Sequence, residues 1–144
     1  MRVPAATALI AALGLTACEA ERERAHRVTA EDVVVTLPAV AGRPGAAYFR
    51  LETSGEGVRL TGISSAAVER VELHEAGMRP VATIALPPGE PLAFEPGRRH
   101  AMLFGLDPSL RPGASIALTF TFDGARPVTA QAQVRGPGDV PTAR

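Results

Sequence analysis

From residue 27 onward, apolar and polar residues alternate along the chain, and β-branched and aromatic residues are frequent in the alternating runs. A period of two is typical of strands that bury one face. Turn signals containing Gly and Pro interrupt these runs at short intervals. The pattern predicts eight or nine strands, in the regions 27–36, 47–53, 58–63, 71–74, 78–86, 92–94, 99–104, 115–122 and 127–134.

Many short strands at this spacing, with no convincing amphipathic helix between them, favour an all-β fold. We therefore expect a Greek-key β-sandwich of the immunoglobulin-like kind. The Asp123-Gly124 pair predicts a hairpin turn between the last two strands. The chain of 144 residues is long enough for one domain with a single core. The sandwich is assigned to residues 28–135, and residues 136–144 are interpreted as a flexible tail.

The N-terminal segment has the composition of a targeting sequence. A positively charged start precedes an apolar stretch that is too short for a comfortable membrane span. The stretch ends in Leu-Thr-Ala-Cys18, which resembles the bacterial lipobox. Residues 1–17 are therefore interpreted as a lipoprotein signal peptide and Cys18 as the lipidated first residue of the mature protein. A plain signal peptide that happens to contain a Cys is the alternative.

Residues 18–27 are charged and nearly free of apolar side chains, which is typical of a solvated tether. The predicted location is the periplasmic side of a bacterial membrane, with the lipid anchor as the only membrane contact. The chain carries 15 basic and 15 acidic residues, and aromatic residues make up only 4%. A nucleic-acid-binding protein would be expected to show a basic patch and stacking aromatic residues, so no nucleic-acid partner is expected.

Histidine and methionine are scarce in this chain, with three residues of each, and they are unevenly placed. Strand alternation puts His100 and Met102 on one face, while Ala101 and Leu103 face the core. Imidazole and uncharged thioether ligands without a thiolate favour Cu(I) over Zn(II). The predicted metal ligands are His74, Met78, His100 and Met102.

The segments 71–74, 78–81 and 96–106 resemble those of a known family. In them, 21 residues separate Met78 from His100, and His100-Ala-Met102 forms an H-x-M triplet. The segments resemble the PCu(A)C-type periplasmic copper chaperones, whose motif is H(M)-x10-M-x21-H-x-M. The resemblance implies a cupredoxin-like β-sandwich that is not an enzyme. It also implies that Cu(I) is passed to an acceptor protein, either during copper-site assembly in cytochrome c oxidase or to another copper chaperone.

The chain departs from the family pattern between its first two candidate ligands, where only three residues separate His74 from Met78. A hairpin with Glu75-Ala76-Gly77 as its loop would compensate for this short link. Gly77 would adopt the left-handed conformation that ends many three-residue loops. His74 and Met78 would then face each other across the ladder.

Other functions are open at this point. An electron-transfer cupredoxin would need a thiolate ligand, and the only Cys of the chain lies in the leader. A Zn or Cu(II) site could use His74, His100 and the carboxylate of Glu72 or Glu75. The sandwich could also be a metal-free adaptor lipoprotein, or the protein could store copper or confer copper tolerance. His26 in the tether could add a weak second ligand, although a solvated His is the better interpretation.

Overall fold

The computed structural model describes residues 27–139. The predicted signal peptide, Cys18 and His26 lie outside this range, as do the last five residues of the predicted tail. The described chain forms ten strands: β1 Val28–Thr36, β2 Gly45–Thr53, β3 Val58–Ser64, β4 Val68–Glu75, β5 Arg79–Val81, β6 Ile84–Leu86, β7 Leu92–Phe94, β8 His100–Leu106, β9 Ser115–Asp123 and β10 Val128–Arg135. Within 27–139, no helix is long and apolar enough to span a bilayer.

All ten strands belong to one continuous sheet. Their order is β5-β4-β8-β2-β1-β10-β9-β3-β6, and β7 pairs with β2 beside this path. Strands β1 and β10 run parallel, and the other pairs are antiparallel. Strands β3 and β4 contact each other although they are far apart in the sheet order, so the sheet folds over itself. The predicted all-β, cupredoxin-like sandwich is confirmed.

The core lies between the two halves of the folded sheet. Strand β2 shows how alternation builds it, because Ala47, Phe49 and Leu51 are buried while the residues between them are partly exposed. The ring of Phe49 stacks on Phe94 with centroids 4.1 Å apart and meets the edge of Phe120 at 4.9 Å. Burying an aromatic side chain of this size stabilises the fold by roughly 1.5–3 kcal/mol.

One predicted strand region is divided in the structure. Residues 78–86 form two short strands, β5 and β6, which lie at opposite ends of the sheet order. Val81 and Ile84 both pack on the core although they are three residues apart. That spacing breaks the period of two, because the chain crosses here from one half of the sandwich to the other.

Candidate metal centre

Strands β4 and β8 bring the candidate ligands together. Their antiparallel register places His74 opposite His100 and Glu72 opposite Met102. Between these pairs, Leu73 lies opposite Ala101 and both are buried in the core. Since neighbouring residues of a strand point to opposite faces, both imidazoles, the thioether and the carboxylate share the outer face of the sheet. The face predicted for His100 and Met102 is the one observed.

The two imidazole rings are direct neighbours on that face. Their centroids are 5.4 Å apart and their planes are inclined by 38°. His74 is only 6% exposed, whereas His100 is half-buried. Metal–imidazole bonds are about 2 Å long, so rings at this separation are within reach of one ion.

The polypeptide fixes which nitrogen of His100 is free. The loop between β7 and β8 turns at Gly97, whose φ is 76°, and is closed by the amide of Glu95 donating to the carbonyl of Arg99 at 2.8 Å. This loop places the carbonyl of Arg98 2.8 Å from Nδ1 of His100. A carbonyl only accepts, so Nδ1 donates to it and Nε2 carries the lone pair.

His74 is held differently. Its Nε2 lies 3.2 Å from Oε2 of Glu72, which as a carboxylate accepts the hydrogen bond. Its Nδ1 is buried and has no hydrogen-bond partner among residues 27–139. An unsatisfied buried polar atom of this kind costs roughly 1–3 kcal/mol. The orphaned nitrogen therefore fits a site that an ion completes.

Glu72 has a second partner on the same strand. Its Oε1 accepts a hydrogen bond from Nη1 of Arg70. The guanidinium of Arg70 in turn lies over the ring of Phe104, 4.1 Å from its centroid. From the sequence, Glu72 was predicted only as an alternative metal ligand, and its contacts with Arg70 and His74 were not predicted. The signal was its spacing, because a carboxylate two residues before His74 on a strand faces the same way.

Met102 lies in the middle of the outer face. Strand β8 is flanked by β4 and β2, so Met102 is opposite Glu72 on one side and Ala46 on the other. Its side chain is partly buried.

The β4–β5 hairpin corrects one sequence-based prediction. Its ladder pairs Glu75 with Arg79 and His74 with Pro80, so the loop is 76–78 and not 75–77. Pro80, rather than Met78, therefore faces His74. The reason is that Gly77 and Met78 both adopt positive φ, at 77° and 62°, so Met78 belongs to the turn. Met78 remains near His74 in sequence and is 57% exposed.

The carboxylate of Glu75 has a partner of its own. Nε of Arg99 donates to both of its oxygens at 3.0 Å. In the part of the chain that the structure describes, no three His, Cys, Asp or Glu side chains come together as a possible metal site. The alternative Zn or Cu(II) site is thus not assembled among residues 27–139.

Comparison with known proteins places the chain in a family. Residues 28–134 match the LpqE-like lipoprotein family. The chain belongs to this family. No curated protein gives a significant sequence match to this chain.

Solved structures similar to this chain include PCuAC domains. The copper-bound PCuAC domain from PmoF2 is 26% identical with a TM-score of 0.69, covering 76% of this chain and 93% of that domain. The apo form of the PmoF2 domain is 24% identical with a TM-score of 0.70, covering 80% and 97% of the two chains. The Cu(I) form of DR1885 from Deinococcus radiodurans is 22% identical with a TM-score of 0.63, covering 75% and 76%. The resemblance inferred from the sequence is confirmed.

Proposed function

We propose that this protein is a copper chaperone of the cell envelope. It binds one Cu(I) ion through His74, His100 and Met102, with Met78 as a further ligand from the β4–β5 loop. The observation that carries the proposal is the orphaned Nδ1 of His74, which is buried beside His100 on the face that also holds Met102. The copper-bound PCuAC domain from PmoF2, at 26% identity, supports the choice of metal.

The chemistry of the donor set favours Cu(I). Thioethers are soft, uncharged ligands that suit Cu(I), and imidazole accepts either copper state. The nearby carboxylates of Glu72 and Glu75 are engaged with Arg70 and Arg99, respectively. The remaining donors are therefore neutral, which disfavours a harder, doubly charged ion.

Met78 is suited to be an accessible ligand of the copper ion. Its side chain is the most exposed of the four, at 57%, and it has three rotatable bonds. A chaperone must release its cargo to a partner, so an exposed thioether at the rim gives the ion a route in and out. The acceptor would be a protein of copper-site assembly in cytochrome c oxidase or another copper chaperone. Copper is here cargo, and the protein has no catalytic role.

The location follows from the N-terminal sequence. We infer that residues 1–17 are a signal peptide, that Cys18 carries lipid, and that residues 18–27 tether the β-sandwich of residues 28–135 to the periplasmic side of a membrane. Membership of a lipoprotein family supports this arrangement.

Cu(I) competition with a calibrated chelator, together with X-ray absorption, tests the proposal. We expect saturation at one equivalent and sulfur in the first shell of the metal. A first shell of nitrogen and oxygen alone would reject the thioether ligands. No saturation at all would favour a metal-free adaptor lipoprotein. Tight binding without transfer to any acceptor would favour copper storage or tolerance.

A further inference from the structure

We infer that Glu72, held by Arg70, is a positioning residue that keeps the proton of His74 on Nε2 and presents Nδ1 to the copper ion. His100 presents Nε2 instead. The inference rests on the proposed function, because it concerns how the same site is prepared for its cargo.

A row of three polar side chains runs along the outer face of β4. Arg70, Glu72 and His74 are successive outward-facing residues of one strand. Arg70 donates to Oε1 of Glu72, and His74 donates from Nε2 to Oε2 at 3.2 Å. Both carboxylate oxygens are therefore engaged within this row.

Glu72 is oriented as a support for His74 and not as a metal ligand. It lies directly opposite Met102 on the outer face of the sheet. Its orientation is fixed from the far side, because Arg70 binds it and is itself seated on the ring of Phe104 at 4.1 Å. The Glu72 carboxylate thus accepts the hydrogen bond from His74, and its negative charge is paired with Arg70.

The hydrogen bond to Glu72 determines which nitrogen of His74 carries the proton. A neutral imidazole has one donor and one acceptor nitrogen. Since the carboxylate takes the hydrogen bond from Nε2, Nδ1 is the acceptor, and it is buried without a partner among the described residues. Buried polar atoms are normally satisfied. A cation bound at Nδ1 would satisfy this one.

The neighbouring imidazole, that of His100, is oriented by a different partner. His100 donates from Nδ1 to the carbonyl of Arg98 at 2.8 Å, which leaves Nε2 free. One imidazole is thus oriented by a carboxylate on its own strand and the other by the backbone of the β7–β8 loop. Partners that orient metal-binding His residues in this way also raise ligand basicity.

Nitrogen NMR of the imidazoles tests the inference on the full mature chain. In the metal-free protein we expect His74 as the Nε2–H tautomer and His100 as the Nδ1–H tautomer. Adding Cu(I) should then move the resonance of Nδ1 in His74 and of Nε2 in His100. A copper-dependent change at Nε2 of His74, with Nδ1 unaffected, would overturn the assignment.

Three substitutions separate positioning from mere structure. Glu72→Ala should abolish the tautomer preference of His74 and weaken Cu(I) binding about 10–100-fold, the usual effect of losing such a partner. Glu72→Gln should restore both only in part, because its amide offers one acceptor oxygen where the carboxylate offers two, and Arg70 and His74 compete for it. Glu69→Ala is the matched control, since it removes a carboxylate from the same strand without touching this row.

The outcomes distinguish this inference from the proposed function. If Glu72→Ala retains the His74 tautomer and binds Cu(I) within about twofold of the wild type, the positioning role is wrong and the copper site stands. If the wild type does not bind Cu(I), the proposed function fails and takes this inference with it. Should Glu72→Ala fail to fold, the metal-free wild type decides by itself, because a His74 protonated at Nδ1 would overturn the role.

Discussion

His74 and His100 lie directly opposite each other on neighbouring antiparallel strands, with ring centroids 5.4 Å apart. The pairing joins two segments that are distant in sequence through the backbone ladder of β4 and β8. The register of a sheet with one buried face is strongly specified, because a slip by one residue would turn every side chain of the strand to the other face. The geometry of the candidate copper site therefore depends on the core that fixes this register.

Replacing Met102 tests the thioether on the sheet. Met102→Ala should lower Cu(I) affinity by more than about tenfold, because removing even an outer partner of a metal site costs that much. Folding stability should change little, since Met102 lies on the outer face and is only partly buried. Cu(I) competition and chemical denaturation measure the two effects.

Met102→Leu is the control for Met102→Ala. Leucine keeps an apolar side chain of similar volume at this position of β8 and has no metal-binding atom. Cu(I) affinity should fall as it does in Met102→Ala. Wild-type affinity in Met102→Leu would mean that the packing of the outer face, and not the sulfur of Met102, determines binding.

Met78 should show opposite effects on the fold and on binding. Its φ of 62° lies in the left-handed region, which costs an ordinary residue roughly 1–2 kcal/mol and a glycine nothing. Met78→Gly should therefore stabilise the domain by about 1 kcal/mol, while removal of the thioether weakens Cu(I) binding. Denaturant unfolding and Cu(I) competition on the same preparation provide the comparison.

Met78→Ala separates the two effects at this position. It removes the thioether and keeps the backbone strain, so affinity should fall as in Met78→Gly without the gain in stability. If both variants bind Cu(I) like the wild type, Met78 is not a ligand and the site consists of residues on the sheet alone.

Local alternation predicted the part of the site that lies on β8. His100 and Met102 share a face because they are two residues apart on a strand, and Ala101 and Leu103 are buried between the sheet halves. Such a pattern depends only on the pleat of the strand, so no long-range contact was needed to infer it.

The hairpin register and the orientation of the Glu72 carboxylate could not be predicted in this way. The ladder of β4 and β5 depends on which residues adopt positive φ, and Met78 gives no sequence signal for a conformation that usually favours glycine. The orientation of the Glu72 carboxylate depends on Arg70, whose guanidinium lies over the ring of Phe104 across the ladder. These are tertiary relationships, which a single sequence does not contain.

The aromatic cluster should dominate folding stability. Phe94 is almost completely buried and stacks on Phe49, although its strand has only three residues. Phe94→Ala should cost about 3–5 kcal/mol, the usual range for deleting a buried aromatic side chain. Phe104→Ala, which removes a partly exposed ring, should cost clearly less in the same denaturation assay. Similar losses would show that the cluster is not the centre of the core.

The lipid anchor is tested at Cys18. The wild type should partition into membrane and detergent fractions, and Cys18→Ser should release or mislocalise the protein because no acyl chain can be attached. Ala20→Ser, two residues beyond, should leave partitioning unchanged. A freely soluble wild type with an unblocked N-terminus would contradict the lipobox interpretation.

Tyr48 should make stability depend on pH in the alkaline range. It is the only Tyr in a chain without Trp, so its ionisation can be followed by tyrosinate absorbance without interference. Burial raises the pKa of the Tyr48 hydroxyl above its ordinary value of about 10. The folded state then holds the proton more tightly than the unfolded state. The resulting stability is complete below the unfolded-state pKa and is lost as pH rises through the folded-state pKa.

Absorbance titration of Tyr48 should give a higher titration midpoint in buffer than in denaturant. Tyr48→Phe should remove the part of the alkaline loss of stability that comes from this hydroxyl. Equal midpoints would contradict the prediction.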